Sequence, residues 1–340
     1  MPGQFTLVAR DAFNGILLWQ RRFPDWHPVN IRTKLTPVQL QRRLAAIGDT
    51  VYVTPGYTAP ITALEAASGK VIREYRGTER TTEFLYDEGV LFAVVGDQTD
   101  TAGLRGSRPL GFSEFPAKYY RRRIRIAEKP QSTIVAIEAQ SGRELWRVGP
   151  AETAGYQGGS LAVSGEHVVY STAEELVCLD RCSGGQRWRV SAPIVLRDRI
   201  GIGGAGVSLV LSDTIAYLAD SECVRAFALA DGRELWRGKA VLNHHKPPDL
   251  FIAAGLVWSN YFDGHDPRTG KIVRRLQQKM QGPMGHDRCY RNRLTERFYI
   301  NSKTGGTDFL DLATGAEFPN PWVRSTCGVG YLPCNGLLYC

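Results

Sequence analysis

A chain of 340 residues with 43% apolar and 22% charged residues is globular rather than disordered. Its longest apolar runs, such as LAAIG and LFAVVG, are strand-sized and fall far short of the ~20 residues that a membrane-spanning helix needs. The net charge of +8 comes mostly from scattered arginines. This charge argues against a strongly acidic surface and allows a weak attraction to phosphate or acidic partners.

The chain begins with a predicted hairpin, and longer strand pairs follow it. The hairpin is the text ARDAFNGILLW around Gly15. The later strand pairs, each with its own tight turn, are LAAIGDTVYVT at 44–54, FLYDEGVLFAVVG at 84–96, SLAVSGEHVVYST at 160–172, SLVLSDTIAYLAD at 208–220 and LFIAAGLVWSN at 250–260. Helical periodicity is hardly visible anywhere.

The opening hairpin is the first of a kind that recurs along the chain. Each such hairpin has a glycine at its corner, which we expect at positive φ. The corner glycines are Gly15, Gly69, Gly142, Gly184, Gly232, Gly270 and Gly315. A small residue stands six positions before the glycine in six of these seven units. Four units carry a tryptophan four positions after it, namely Trp19, Trp146, Trp188 and Trp236. We expect the indole to fill the space above the small residue across a sheet-to-sheet contact.

The two kinds of hairpin together make four antiparallel strands per unit, which is a propeller blade. The first unit lacks its leading strand pair, and the final segment VGYLPCNGLLYC supplies one. We therefore expect the N- and C-terminal strands to complete one blade and close the ring. Seven corners predict seven blades in a single all-β domain over 1–340, or eight if residues beyond either terminus are missing.

The corner pattern A-x-(D/E)-x-x-(S/T)-G-x-x-x-W resembles the repeat of pyrroloquinoline-quinone-type β-propellers over residues 7 to 323. That family contains quinoprotein alcohol dehydrogenases and the propeller lipoprotein of the outer-membrane β-barrel assembly machinery. The texts HDRCYRNRLTERFYI and WVRSTCGVGYLPCNGLLYC further resemble a planctomycete-type subgroup of large exported repeat proteins. The subgroup resemblance implies export and a longer natural chain, although MPGQFTLVARDAFNG shows no secretory signal.

The resemblance also raises the question of a cofactor. The family dehydrogenases use pyrroloquinoline quinone with Ca²⁺, a catalytic aspartate, a tryptophan floor and a disulfide between adjacent cysteines. This sequence has no two consecutive cysteines, and no Glu, Asn and Asp set can be assigned to the matching blades. We therefore expect no cofactor and name no catalytic residue, because fold does not fix function.

The late cysteines and histidines are weak candidates for a metal site. His286 and Cys289 have a ligand-like spacing, and with Cys327 and Cys334 they could bind zinc. The favoured alternative is a turn histidine with a structural cysteine pair, such as a Cys289–Cys327 disulfide in an exported protein. The nearby FDGHDPRTGK, with His265 and Asp266, is interpreted as blade edge and turn.

The longest interval between corners, 73 residues, contains an insertion at about 96–133. Long insertions on rigid scaffolds often carry function, although disorder is the commoner explanation. The candidate partner-binding residues are Tyr119, Tyr120, Arg121, Arg122 and Arg123 in the insertion, with His244 and His245 in the Pro-rich NHHKPPD. The predicted function is a monomeric, non-catalytic module that binds a protein or peptide. A quinone- or metal-dependent oxidoreductase is the alternative, and polyanion binding by the basic insertion is a third.

Overall fold

The computed structural model describes residues 5–23, 42–56, 59–96, 131–196, 206–241, 248–259, 262–280, 291–325, 330–334 and 336–339. These residues form strands and turns, with no α-helix and therefore no helix that could span a membrane. The strands are β1 Phe5–Arg10, β2 Leu17–Phe23, β3 Leu44–Ile47, β4 Thr50–Val53, β5 Ile61–Glu65, β6 Val71–Tyr75, β7 Thr81–Asp87, β8 Val90–Val95, β9 Thr133–Glu138, β10 Glu144–Val148, β11 Ala162–Ser164, β12 His167–Ser171, β13 Glu175–Asp180, β14 Gln186–Ser191, β15 Ser208–Leu211, β16 Ile215–Ala219, β17 Cys223–Ala228, β18 Glu234–Lys239, β19 Leu250–Ala253, β20 Leu256–Ser259, β21 Asp263–His265, β22 Ile272–Arg275, β23 Arg293–Leu294, β24 Phe298–Asn301, β25 Asp308–Asp311, β26 Glu317–Phe318, β27 Leu332–Cys334 and β28 Leu337–Tyr339.

The strands form the predicted blades in sequence order. Six antiparallel four-stranded sheets, blades 1 to 6, consist of β3–β6, β7–β10, β11–β14, β15–β18, β19–β22 and β23–β26. The first strands of blades 1 to 5 contact one another in turn, so they line the axis. The middle strands of each blade are buried between neighbouring sheets, which explains their apolar residues on both faces.

The terminal strands form two further two-stranded sheets, β1–β2 and β27–β28. The Tyr339 hydroxyl donates a hydrogen bond to the Ala12 carbonyl at 3.3 Å, which links the two hairpins. Six complete blades and two terminal hairpins agree with the predicted seven to eight blades of an all-β propeller.

The antiparallel order gives the propeller two different faces. Each first strand begins at one face, which we call the arginine face, and the connections between successive blades lie there too. The corner glycines lie at the opposite face, the glycine face. All seven have φ between +69° and +78°, as predicted, and an L-residue is strained in that region.

The four tryptophans that follow a corner cross to the next sheet, as predicted, but they lie on its corner glycine and not on its small residue. The small residue six positions before the glycine is the antiparallel partner of the tryptophan in the same hairpin, as in Ala136 opposite Trp146. The indole instead lies on the corner glycine of the next blade, Gly184, where an added Cβ would lie 2.7 Å from the ring. Its Nε1 donates to the Arg181 carbonyl of that corner at 2.7 Å. Each tryptophan therefore joins its own sheet to the next.

Candidate functional site: the axial arginine cluster

Four arginines stand where the first strands of blades 1 and 6 begin. Arg42 and Arg43 come directly before β3, and Arg291 and Arg293 flank the start of β23. The axial arginine cluster, as we name these four residues, is half-buried to buried at the start of first strands that line the axis. It gives this face its name.

Arg42 reaches from blade 1 past blade 2 to blade 3. Its Nη1 donates to Oε2 of Glu83 in β7 at 3.2 Å and to the Leu161 carbonyl at 2.6 Å, just before β11. Glu83 is fully buried and also accepts hydrogen bonds from the Tyr156 hydroxyl at 2.6 Å and the Gly159 amide at 2.7 Å. Burial and the nearby Glu83 charge raise the pKa of Tyr156 well above its usual value, so it is a neutral donor.

Arg291 makes the mirror-image reach from blade 6 to blade 4. Its Nη2 donates to the Val207 carbonyl at 3.3 Å, just before β15. The neighbouring carboxylate is Asp249, directly before β19 in blade 5, which accepts a hydrogen bond from the Asn292 side-chain amide at 2.7 Å. Glu83 bonds Arg42 directly, whereas Asp249 acts on Arg291 through its charge.

The two outer arginines link neighbouring sheets. Nε of Arg43 donates to the Thr82 carbonyl of blade 2 at 2.9 Å. Nε of Arg293 donates to the Tyr331 carbonyl before β27 at 3.1 Å. Both therefore hold one sheet to the next, and Arg42 and Arg291 are the members that cross the axis.

Arg42 and Arg291 reach two neighbouring first strands from opposite sides. Leu161 and Val207 precede β11 and β15, which contact each other, and the Arg42 charge acts on Arg291. Burial lowers the pKa of Arg291 to about 10; the Asp249 charge opposes this, and the positive charges of Arg42 and Arg293 add to it. The site is a basic mouth whose two crossing guanidinium groups repel each other.

Comparison with known proteins agrees with the architecture. The family model for outer membrane protein assembly factor BamB matches residues 130–248. The crystal structure of BamB from Moraxella catarrhalis aligns with 98% of this chain and 84% of its own at 14% identity and a TM-score of 0.54. A europium-containing methanol dehydrogenase aligns with 92% of this chain and 74% of its own at 10% identity and a TM-score of 0.53. No curated protein matches the sequence significantly.

The chain folds as a β-propeller, and its residues 130–248 are similar to the repeats of the pyrroloquinoline-quinone type. At these identities the structural likeness shows the fold, and function has to be argued from the site. The likeness to a planctomycete-type subgroup stays a prediction.

The quinone-type family raises the question of whether the axis of this propeller suits Ca²⁺ and a quinone. Glu83 already accepts three donors, and the neighbouring cluster is basic, whereas Ca²⁺ takes six to eight oxygen ligands. Among the described residues, no three His, Cys, Asp or Glu side chains are grouped to hold a metal ion. The described axial residues therefore do not fit Ca²⁺, and the absence of a cofactor stays a prediction.

Most of the residues predicted from the sequence to bind a partner or a metal lie outside the described residues. These are Tyr119, Tyr120, Arg121, Arg122, Arg123, His244, His245, His286, Cys289 and Cys327. The flanking strands nevertheless end at the arginine face, since β8 ends and β9 begins there on either side of the insertion. Cys334 is a free, exposed cysteine in β27. The zinc and disulfide alternatives both stay open.

His265 has a structural role, as its interpretation as blade edge and turn predicted. Its ring is buried, lies 2.9 Å from the Ser259 hydroxyl and 3.0 Å from the Gly270 carbonyl, and stacks on Trp236. Asp266 accepts the backbone amides of the following corner. Neither residue points to a ligand.

The axial arginine cluster was missed by sequence reasoning, which treated the arginines as scattered surface charge. A signal was present, because the texts RRL at 42–44 and NRL at 292–294 place basic residues directly before a first strand. Only the ring, however, brings residues 42 and 291 close to each other.

Proposed function

We propose that this propeller is a non-catalytic protein-interaction module whose partner binds the arginine face. The observation that carries the proposal is the pair of arginines crossing the axis there, with donors left over for a ligand. The matched model is that of an assembly factor, which supports a partner protein rather than a small substrate. The flanks of the long insertion at this face add support.

Site-specific photo-crosslinking in the native host tests which face binds the partner. A photo-reactive amino acid at the exposed Glu174, between β12 and β13, samples the arginine face, and one at the exposed Asp231 samples the glycine face. We expect a discrete adduct from position 174, identified by mass spectrometry, and none from 231. Adducts from 231 alone, or from neither position, would reject the proposal.

The second candidate is a quinone- or metal-dependent oxidoreductase, which the fold of the methanol dehydrogenase favours. Titration of the purified chain with Ca²⁺ and pyrroloquinoline quinone, followed by calorimetry and by absorbance, separates the two candidates. Stoichiometric uptake with a shifted quinone spectrum would support the enzyme and contradict the module.

We also propose that the protein is exported, in line with the match to the model of an outer membrane protein assembly factor, and that it is monomeric. Cell fractionation of the native host tests export, and light scattering coupled to gel filtration tests the monomer. Recovery in the cytoplasmic fraction, or a mass of twice 37.7 kDa, would contradict the respective statement.

A further inference from the structure

The two arginines that cross the axis have unused hydrogen-bonding capacity. Arg42 makes both of its hydrogen bonds through Nη1, and among the described residues its Nε and Nη2 have no partner. Within the same part of the chain, Arg291 bonds through Nη2 alone, so its Nε and Nη1 are equally unpartnered. A guanidinium carries five N–H donors in a planar fork, and each arginine therefore keeps several for a ligand.

These donors belong to groups that remain open to water. The Arg42 side chain keeps 27% of its surface exposed, and Arg291 is half-buried. None of their nitrogen atoms is among the buried polar atoms without a hydrogen bond. Their unpartnered nitrogen atoms therefore keep some contact with solvent.

The charge balance at this point favours an anion. The four arginines carry four positive charges, and among the described residues the acidic groups that act on Arg42 and Arg291 are Glu83 and Asp249, with two negative charges. Glu83 serves Arg42, and Asp249 acts on Arg291, but the two guanidinium groups still repel each other across the axis. A carboxylate between them would offset that repulsion and accept two parallel N–H bonds from either fork.

We propose that Arg42 and Arg291 form a carboxylate-binding site for an acidic side chain of a partner peptide. This inference rests on the proposed function and specifies which chemistry of the partner is recognised. Arg43 and Arg293 hold the adjoining sheets and do not contact the peptide. Inorganic phosphate is the rival source of an oxyanion and is tested separately.

The first experiment uses a fluorescent, end-blocked peptide of alternating glutamate and glycine, with its glutamine counterpart as the matched control. Binding to the full chain is measured by anisotropy at about 0.01 M ionic strength, where charges are little screened. We expect the glutamate peptide to bind, the glutamine peptide not to bind, and acetate to compete. Absence of glutamate-peptide binding, or equal binding of both peptides, would overturn the proposal.

Matched variants place the site. Arg291→Gln removes one fork and should weaken the Kd of the glutamate peptide at least tenfold. Arg42→Gln combined with Glu83→Gln should do the same without leaving the buried carboxylate unpaired. Arg233→Gln and Arg268→Gln, exposed on the glycine face, remove equal charge and should leave the Kd unchanged. Circular dichroism confirms that each variant is folded. If Arg291→Gln and the double variant bind the glutamate peptide with wild-type affinity, the assignment is overturned. It is also overturned if the control variants lose as much affinity as the site variants.

The remaining outcomes separate the ligand sources and the two proposals. Inorganic phosphate that binds the wild type more tightly than the peptide, and loses affinity in Arg291→Gln, would assign the site to a free anion and overturn the peptide proposal. A crosslink from position 174 that is unchanged in Arg291→Gln, together with unchanged peptide affinity, would overturn the carboxylate site while leaving the interaction module intact. If the protein with the photo-reactive residue at position 174 and no other change gives no crosslink, the proposed protein-interaction module is itself overturned.

Discussion

The corner glycines share one backbone conformation but differ in their surroundings. At Gly69, Gly184, Gly232 and Gly270, an added Cβ would lie 2.5 to 2.7 Å from an indole atom of the preceding tryptophan. At Gly15 and Gly315, the same Cβ would meet nothing within 4 Å. The left-handed φ alone therefore explains glycine at two corners, and close approach of a ring adds a second reason at four.

The substitutions Gly270→Ala and Gly315→Ala separate these two reasons. Both place alanine at nearly the same φ, +69° and +73°, which costs roughly 1–2 kcal/mol. Gly270→Ala also forces the Trp236 ring out of its position, which adds about 1–3 kcal/mol. We expect urea unfolding to show the larger loss of unfolding free energy in Gly270→Ala. Equal losses would mean that the indole contact contributes nothing.

A carboxylate four positions before the corner glycine holds the turn in several blades. In blade 6, Asp311 accepts the amides of Ala313 and Thr314 and the Nε of Arg297, the last at 2.9 Å. The Arg297 guanidinium and these amides lower the pKa of Asp311 to about 2. Since this value lies below that of an unfolded aspartate, the carboxylate stabilises the fold above about pH 4.

Asp311→Asn should therefore make the free energy of unfolding depend less on pH in the acidic range. As the pH falls from about 4 toward 2, the wild type loses the contribution of this carboxylate, whereas the variant has none to lose. We expect the variant to be less stable at pH 7 and its difference from wild type to shrink as the pH falls toward 2. Asp231→Asn, which removes a carboxylate bonded to a single amide, is the control. A difference in urea midpoint that stays constant from pH 7 to pH 2 would contradict the assignment.

Between neighbouring blades, the repeated contact is a donor that reaches the carbonyl three positions before the next corner glycine. The indole of Trp19 donates to Ala66, that of Trp188 to Leu229, and that of Trp236 to Pro267, at 2.7 to 2.9 Å. Blade 1 has Arg73 in the tryptophan position, and there the hydroxyl of Tyr75 donates to the Ala139 carbonyl at 2.6 Å. A different side chain thus makes the same link.

Tyr75→Phe tests whether the Tyr75 hydroxyl stabilises the fold through the link that an indole makes in other blades. It leaves the buried Ala139 carbonyl without that donor, which costs about 1–3 kcal/mol. The matched control is Tyr217→Phe, since the Tyr217 hydroxyl bonds the Pro267 carbonyl only at 3.3 Å and the Trp236 indole remains on it. We expect a clear loss of unfolding free energy in the first variant and little in the second. Similar losses in both would show that the hydroxyl link is not specific to blade 1.

The sequence predicted the elements better than the contacts between them. The strand pair at 44–54 became β3 and β4, and the text at 160–172 became β11 and β12, because each is set by local apolar patterning and its turn. The predicted crossing of the indole to the next sheet was right, but its predicted partner, the small residue, was wrong, because Trp236 lies on the corner glycine Gly270. The axial cluster was missed because residues 42 and 291 come close to each other only in the ring.

At the scale of the whole molecule, the indole contacts are unevenly spread around the ring. Trp146, Trp188 and Trp236 join blades 2, 3, 4 and 5 in succession. Apolar cores fill these three interfaces and also those between blades 1 and 2 and between blades 5 and 6, so it is the indoles that hold blades 3 and 4 from both sides. The β1–β2 hairpin exposes large apolar residues, among them Phe13 at 80% and Ile16 at 62%. Stability in repeat folds adds up from such neighbour contacts, so it should be highest in the middle of the chain.

Hydrogen exchange tests this distribution directly. We expect the slowest amides in β12–β13 and β16–β17 and the fastest strand amides in the two terminal hairpins, since local opening follows the contacts that must break. Trp188→Ala removes the link between blades 3 and 4 and should speed exchange in both blades more than in blade 6. Trp322→Ala, at a side chain 90% exposed, is the control and should change neither. Uniform acceleration around the ring would show instead that the propeller opens as one cooperative unit, with no stable middle.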